Sequence, residues 1–331
     1  MIHKNDFDGN IQLGGRRFFD ETKRTELAKH VFPYGSFYDR IDGHLVPKAT
    51  YFEALTACPM CGGDDIGELL TGNEITVFRC GRCGFGFQNP RFRAEFLGEL
   101  YAGEYRMNDA YRSDAQRRLD AAKFGYGIQE ARRYRRDIAS VLDVGAGTGQ
   151  FLEVARDLGI PRCYGMEPGA ALRDSRLGFE IFNEFLEEIP PQLSDLSLIT
   201  LWDTLEHIHD FNRIIASAKR ALAPDGLVLI MVPNLNSLAS RLIRDKSWTF
   251  DLTHLSYFTS NSLGMLLSKH GLDVVHRETV ISEIDNCRNY LEFNEPYTSV
   301  PSGDEAFAWL TPSHIHGHML GSRLLFIARN G

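Results

Sequence analysis

Between residues 140 and 330 the chain alternates short apolar runs with stretches that are apolar on one side only. The apolar runs are VLDVGAG, RCYGMEP, FEIFN, LSLITLWD, GLVLIMVPN, LDVVHRE and SRLLFIARN. Each has strand length and is bounded by polar or glycine-rich turns. Between them, FLEVARDLG, FNRIIASAKRALA and NSLGMLLSKHG carry apolar residues at helical spacing, and the last should stop at Gly271. Strands alternating with helices predict an α/β fold, a parallel sheet covered on both faces.

The first 137 residues follow another pattern. Residues 1–54 mix aromatic and charged positions around Gly and Pro, with a short helix expected at ETKRTELAKHV. Residues 55–91 hold four cysteines in two pairs. Residues 92–137 read as a helical connector, clearest at AEFLGELY and DAQRRLDAAKF. The α/β region then runs over 138–331, with an irregular, aromatic-rich insertion at 280–320 before the last strand.

Charge narrows the partners. The net charge of -8 argues against nucleic acid, which is gripped by clustered Lys and Arg. The basic stretch ARRYRR at 131–136 also holds neighbouring Glu130 and Asp137 and reads as a solvated helix face. No apolar run approaches the roughly 20 residues that span a bilayer, so no membrane partner is expected. The opening MIHKNDFDGN lacks the apolar core of a signal peptide. A reducing, cytoplasmic setting is therefore expected, where paired cysteines point to metal rather than disulfides.

Cys58 and Cys61, then Cys80 and Cys83, form two CxxC-Gly knuckles. Two intervening residues let both sulfurs of a pair reach one ion, and four thiolates make a closed, structural Zn²⁺ site. A redox pair or an iron–sulfur centre is the competing reading. Cys163 and Cys287 stand alone and read as plain thiols.

The run VLDVGAGTGQF carries the strongest chemistry. A strand ends at Val144, glycines follow at 145, 147 and 149, and a helix opens near Gln150. Glycines let the backbone turn sharply and approach a ligand closely. A dinucleotide fingerprint needs glycine where Gln150 stands, so NAD fits poorly. Glu167 ends the next strand, where an acid can bind two ribose hydroxyls; a solvated loop glutamate is the alternative.

The set resembles class I SAM-dependent methyltransferases, from Asp143 and the loop through LWDTLEHIHD and MVPNLNS to SWTFDLTHLSYFTSNSLGMLLSKHGL. The resemblance implies a Rossmann-like seven-stranded sheet. It implies cofactor contacts from Asp143, Gly145, Ala146, Gly147, Gly149, Gln150 and Phe151. Glu167 and Pro168 would lie at the ribose, Glu184 and Phe185 at the adenine, and Trp202 and Asp203 near the methionine part. The cysteine stretch, through FRCGRCGFGFQNPR, resembles the N-terminal zinc-binding module of some sugar and natural-product methyltransferases. The LEHIHD string resembles the ubiquinone-biosynthesis branch.

Methyl transfer is an in-line displacement that rests on alignment. A hydroxyl acceptor also needs a base. His207, His209 and His254 are candidates, with Glu206 beside them. Asp203, Glu206 and His207 would share a helix face. The related ExxEH pattern with a later histidine implies Mg²⁺ or a similar ion as an alternative to a base, and a purely structural role is the third reading. His314, His316 and His318 alternate as on one side of a strand, or lie in a loop at the pocket edge. Trp248, Tyr257, Phe258 and Trp309 are candidate acceptor-pocket aromatics, with core packing the default reading. The acceptor expected is a small molecule, first a hydroxyl of a sugar or nucleotide sugar, then a phenolic or quinone ring. A non-catalytic SAM-binding or docking protein is the reading from another class.

Overall fold

The computed structural model describes residues 1–13, 17, 20–21, 37–41, 44–72, 75–97, 113–168, 178–183 and 186–331. The N-terminal strands are β1 (Tyr38–Ile41), β2 (His44–Pro47), β3 (Phe52–Glu53), β4 (Ile66–Gly72), β5 (Ile75–Cys80), β6 (Gly86–Gln88) and β7 (Arg91–Phe92). The later ones are β8 (Ser140–Val144), β9 (Arg162–Met166), β10 (Glu180–Phe182), β11 (Leu196–Trp202), β12 (Leu222–Pro233), β13 (Ser256–Tyr257), β14 (Leu272–Val280) and β15 (Arg323–Asn330). The helices are α1 (Gly9–Leu13), α2 (Asp114–Tyr134), α3 (Gln150–Asp157), α4 (Phe211–Ala221), α5 (Leu238–Ile243), α6 (Ser260–Lys269), α7 (Ile284–Leu291) and α8 (Pro312–Gly317).

Seven strands form the main sheet in the order β10-β9-β8-β11-β12-β15-β14. Only β15 runs antiparallel to its neighbours. The expected seven-stranded, Rossmann-like sheet is present. Every residue of β8 and β11 is buried, as covering on both faces requires. Alternate residues feed two cores. Leu142, Val144, Ile199 and Leu201 face α4 and α6, while Val141, Leu198, Leu227 and Leu229 face α2 and α3. The chain order reverses at β8, so a crevice opens at the carboxyl ends of β8 and β11.

The cysteine stretch does not close on itself. Its sheet has the order β13-β6-β5-β4, and β13 comes from the α/β region. Ser256 pairs with Phe87 and Tyr257 with Gly86. The stretch also shares a core with the main sheet. Phe85 lies 5.4 Å from Phe211 and 5.2 Å from Phe258, centroid to centroid, in one apolar cluster with the cysteines. Tyr257 and Phe258 are thus fully buried core residues rather than pocket lining.

Other expectations shift. The helix expected at 21–31, beyond Glu21, and the second half of AEFLGELY lie outside the described residues; 94–97 are helical. The 280–320 stretch contains α7, α8 and a 3-10 turn at Glu305–Phe307. The three histidines of 314–318 sit on α8 and its cap, because Thr311 caps a helix with Pro312 at its first position. A strand alternation is therefore excluded. His316 bonds the Thr279 hydroxyl at 3.1 Å while His314 and His318 face each other, so the three do not converge. The N-terminus straps the far side of the sheet. Lys4 pairs with Glu278, Phe7 packs on Tyr126, and Asp8 accepts from the Ser282 amide.

Because one aromatic cluster joins the cysteine stretch to the sheet, Phe85→Ala should cost about 3–5 kcal/mol. Urea unfolding followed by tryptophan fluorescence and far-UV circular dichroism should show one coincident transition moved to lower denaturant. Two separate transitions in the wild-type chain would show that the parts unfold independently.

Candidate active site

The glycine loop crosses the carboxyl end of β8. Gly145, Gly147 and Gly149 have φ of 80°, 53° and 79°, a region where side chains are strained. The amides of Gly145 and Ala146 both donate to the Met166 carbonyl, at 2.8 and 2.9 Å, which ties the loop to β9. A Cβ on Gly145 would come within 2.5 Å of the Thr204 hydroxyl, whereas one on Gly147 would meet nothing within 4 Å. Gly147 therefore faces open space. Its amide donates to Glu167 Oε2 at 2.8 Å, so the β9 acid already lies against the loop.

Asp143 sits beneath the loop and is buried. Thr200 Oγ1 donates to its Oδ1 at 2.7 Å. Burial pushes its carboxyl up to about 8, with the Glu167 charge adding to the shift and Thr200 opposing it. Gln150 opens α3 and donates from its side chain to the Arg117 carbonyl at 2.5 Å. Phe151 is buried between Phe124 and Trp202, at 5.4 and 5.7 Å, so its ring is core and only its backbone faces the loop side. Pro168 follows Glu167, half-buried. Trp202 ends β11 against Gly127 of α2, and its buried indole N–H has no acceptor among the described residues. Glu184 and Phe185 lie outside the described residues.

After β11 the expected helix face does not form. Asp203 has φ 47°, and only one 3-10 turn follows, Leu205–His207. The left-handed residue turns Asp203 away to Arg323 Nε at 2.7 Å and Lys123 Nζ at 3.7 Å. Burial would raise its pKa, but Arg323 and Lys123 outweigh this and hold it low. Glu206 and His207 instead meet His254, and one donor atom from each lies within 4.8 Å of the others.

This trio has defined proton positions. His207 Nδ1 donates to the Thr253 carbonyl at 3.0 Å and His254 Nδ1 to the Thr249 carbonyl at 2.8 Å, since carbonyls only accept. Each Nε2 is left with a lone pair when the ring is neutral. Burial, reinforced by His254, pushes His207 down to about 3, and burial also lowers His254. Glu206 is fully buried, and neither carboxyl oxygen has a hydrogen-bond partner among the described residues. Burial and then the Asp203 charge raise its pKa well above the usual range. His209 does not join. Its Nε2 donates to Glu53 Oε1 at 3.0 Å, on β3 just before the cysteine stretch.

The four cysteine sulfurs form a second cluster. Cys58 and Cys83 lie 3.7 Å apart, Cys61 and Cys80 3.6 Å, and all four lie within 4.8 Å of one another. Burial raises the Cys58 thiol to about 11 and raises Cys83 as well. At Cys80 the backbone amides of Cys83 and Arg82 outweigh burial and lower it. Sequence reasoning did not find Lys123, Thr200 or Arg323. The spacing of Asp120 and Lys123 on one helix face was the one local signal, now an ion pair of 2.9 Å.

A family model described as a methyltransferase domain matches residues 111–277. The chain is 33% identical over 148 residues to the C-methyltransferase NovU of Streptomyces niveus, which is 42% of this chain and 34% of that protein. It thus spans about a third of that relative's length. Among solved structures, a chain of the complex between the Haloferax volcanii Trm112 methyltransferase activator and a putative methyltransferase is 15% identical. The match covers 67% of this chain and 97% of that one, with a TM-score of 0.48. A SAM dependent methyltransferase from Archaeoglobus fulgidus is 19% identical over 72% of this chain and 100% of its own, with a TM-score of 0.46. The family match spans half of the sequence, from α2 through β14, and takes in the whole glycine-loop crevice. The chain therefore belongs to the methyltransferase domain family.

Proposed function

We propose that the chain transfers the methyl of SAM to a small-molecule acceptor that gives up a proton, with the His207–His254 pair receiving it. SAM supplies an electrophilic methyl on a sulfonium. Open space over Gly147, beside the Glu167 carboxylate, suits a nucleoside whose ribose hydroxyls bond that acid. Asp143 and the loop amides would border the amino-acid part, and a cation there would favour the ionised form of Asp143.

The single observation that carries the acceptor side is the pair of imidazoles with both Nδ1 atoms committed to carbonyls and ring centroids 4.7 Å apart. Held neutral, they present lone pairs at the rim. A sugar, nucleotide sugar or related metabolite is the acceptor class, on the resemblance of the cysteine stretch to modules of sugar methyltransferases. A hydroxyl oxygen fits a base; so does an acidic carbon, and the Streptomyces niveus relative is named a C-methyltransferase. The second reading is a divalent ion held by Glu206, His207 and His254, favoured by their convergence and by the unpartnered carboxyl. Two imidazoles in the set suit a transition ion better than Mg²⁺.

We also propose one structural Zn²⁺ on the four cysteines. Tetrahedral sulfurs about 2.3 Å from zinc stand about 3.8 Å apart, close to the separations present.

Five outcomes are expected. Glu167→Ala should weaken binding of S-adenosylhomocysteine about tenfold or more in calorimetry, the loss of hydrogen bonds to a charged acceptor, with the melting temperature unchanged. Unaltered affinity would remove Glu167 from the cofactor site. Elemental analysis should find one zinc per chain, and a fully folded, metal-free preparation would remove the zinc. Incubation with ¹³C-methyl SAM and a panel of nucleotide sugars, sugars and phenols should yield a methylated product whose carbon shift separates O–CH₃ from C–CH₃. His254→Ala should slow that transfer by about 10²–10⁴-fold and spare S-adenosylhomocysteine affinity. Since burial lowers both histidine pKa values, the neutral base persists as pH falls, and activity should hold well below pH 6.5. An acid limb near the ordinary histidine value, or loss of activity with EDTA and recovery with Mn²⁺, would turn the reading to the metal. Tight SAM binding without transfer to any of the panel would favour a non-catalytic protein.

A further inference from the structure

The His207 turn is a single 3-10 turn, too short to hold itself. Its surroundings hold it. Arg91 Nε donates to Glu53 Oε1 at 2.9 Å, His209 Nε2 donates to the same oxygen at 3.0 Å, and Arg91 Nη1 donates to the His209 carbonyl at 3.3 Å. Glu53 and Arg91 lie on β3 and β7, which pair with each other across the cysteine stretch. The Arg91 side chain is 11% exposed and that of His209 19%, so solvent does little to weaken this grip. Burial opposes ionisation of Glu53, yet Arg91 and His209 outweigh it and keep the carboxyl charged.

We propose that Glu53 and Arg91 are positioning residues for the acceptor side: by gripping both ends of His209 they fix the turn that aims Glu206 and His207 at His254. This rests on the reading of His207 and His254 as acceptor-side groups. A second tether acts on the opposite partner. The Leu255 amide donates to the Glu206 carbonyl at 2.9 Å, and the Gln88 amide donates to the Leu255 carbonyl at 3.1 Å. The two histidine segments are thereby fastened to neighbouring parts of the same stretch, one to the β3–β7 pair and the other to β6 of the four-stranded sheet. Glu53 and Arg91 touch neither cofactor nor acceptor, so they act through the geometry of others.

The test reads the histidines directly. In ¹⁵N-histidine-labelled, zinc-replete full chain, the Nδ1–H protons of His207 and His254, bonded to carbonyls, give slowly exchanging imidazole resonances, assigned by their loss in His207→Gln and His254→Gln. Glu53→Ala and His209→Ala should broaden or remove the His207 resonance. His209→Gln, which keeps a donor toward Glu53, should retain it. S-adenosylhomocysteine affinity should change by less than about twofold in all three, as for a distant independent site. A sharp, unshifted His207 resonance in both alanine variants overturns the clamp, as does equal loss in His209→Gln. If Glu53→Ala fails to fold, the contrast between His209→Ala and His209→Gln decides alone. A lost resonance with unchanged methyl transfer would leave the clamp standing and count against the base assignment.

Discussion

A relay of backbone hydrogen bonds joins three distant segments of the chain that meet at Glu206. Gln88 donates to Leu255, and Leu255 donates to Glu206. One link belongs to the cysteine stretch, one to the chain after β12, and one to the chain after β11. Loops at the carboxyl edge of a parallel sheet have no ladder of their own, and their buried amides must find partners elsewhere. Here they find them in β6 and β13. The cysteine stretch is therefore built onto the sheet, sharing its aromatic core through Phe85 and Phe258.

The crevice has two electrostatic halves. On the glycine-loop side, the Glu167 charge lies close enough to disfavour that of buried Asp143. On the other side, Asp203 is neutralised by Arg323 and Lys123, and the latter reaches back to Asp120 on α2. That chain of charges crosses from the helix over the cofactor side to the last strand. Its members are mutually compensated, so it fixes the position of α2 without adding net charge. The left-handed backbone at Asp203 makes this possible. In a helical conformation the carboxylate would crowd Glu206, and two buried acids side by side are unfavourable.

Most of the fold was legible in the sequence because strands buried on both faces are mostly apolar, as in LSLITLW, where only Ser197 and Thr200 are polar. The glycine loop and Glu167 were legible because a close backbone turn followed by an acid has few other uses. The cysteine knuckles were legible from spacing alone. What was hidden depends on long-range partners. Nothing near Arg323 announces an acid 120 positions earlier, and nothing near Glu53 announces a histidine 156 positions later. The two-residue β13 is too short for any periodicity to mark it. The single face drawn through Asp203, Glu206 and His207 failed because it assumed helical dihedrals where one residue turns left-handed. The irregularity expected at 280–320 held only in part, since α7 begins after Glu283 at φ 48°, a start that carries no residue signature.

Glu206 is the point where these constraints meet. A buried, unpartnered carboxylate costs several kcal/mol, so such a group either carries a proton or faces a positive charge. Burial beside Asp203 favours the proton in the ligand-free chain. The two nearby imidazoles are held neutral by the same burial, with their Nδ1 protons committed outward. The trio therefore takes up a positive charge, whether as a proton from an acceptor or as an ion, only as Glu206 gives up its proton to balance it.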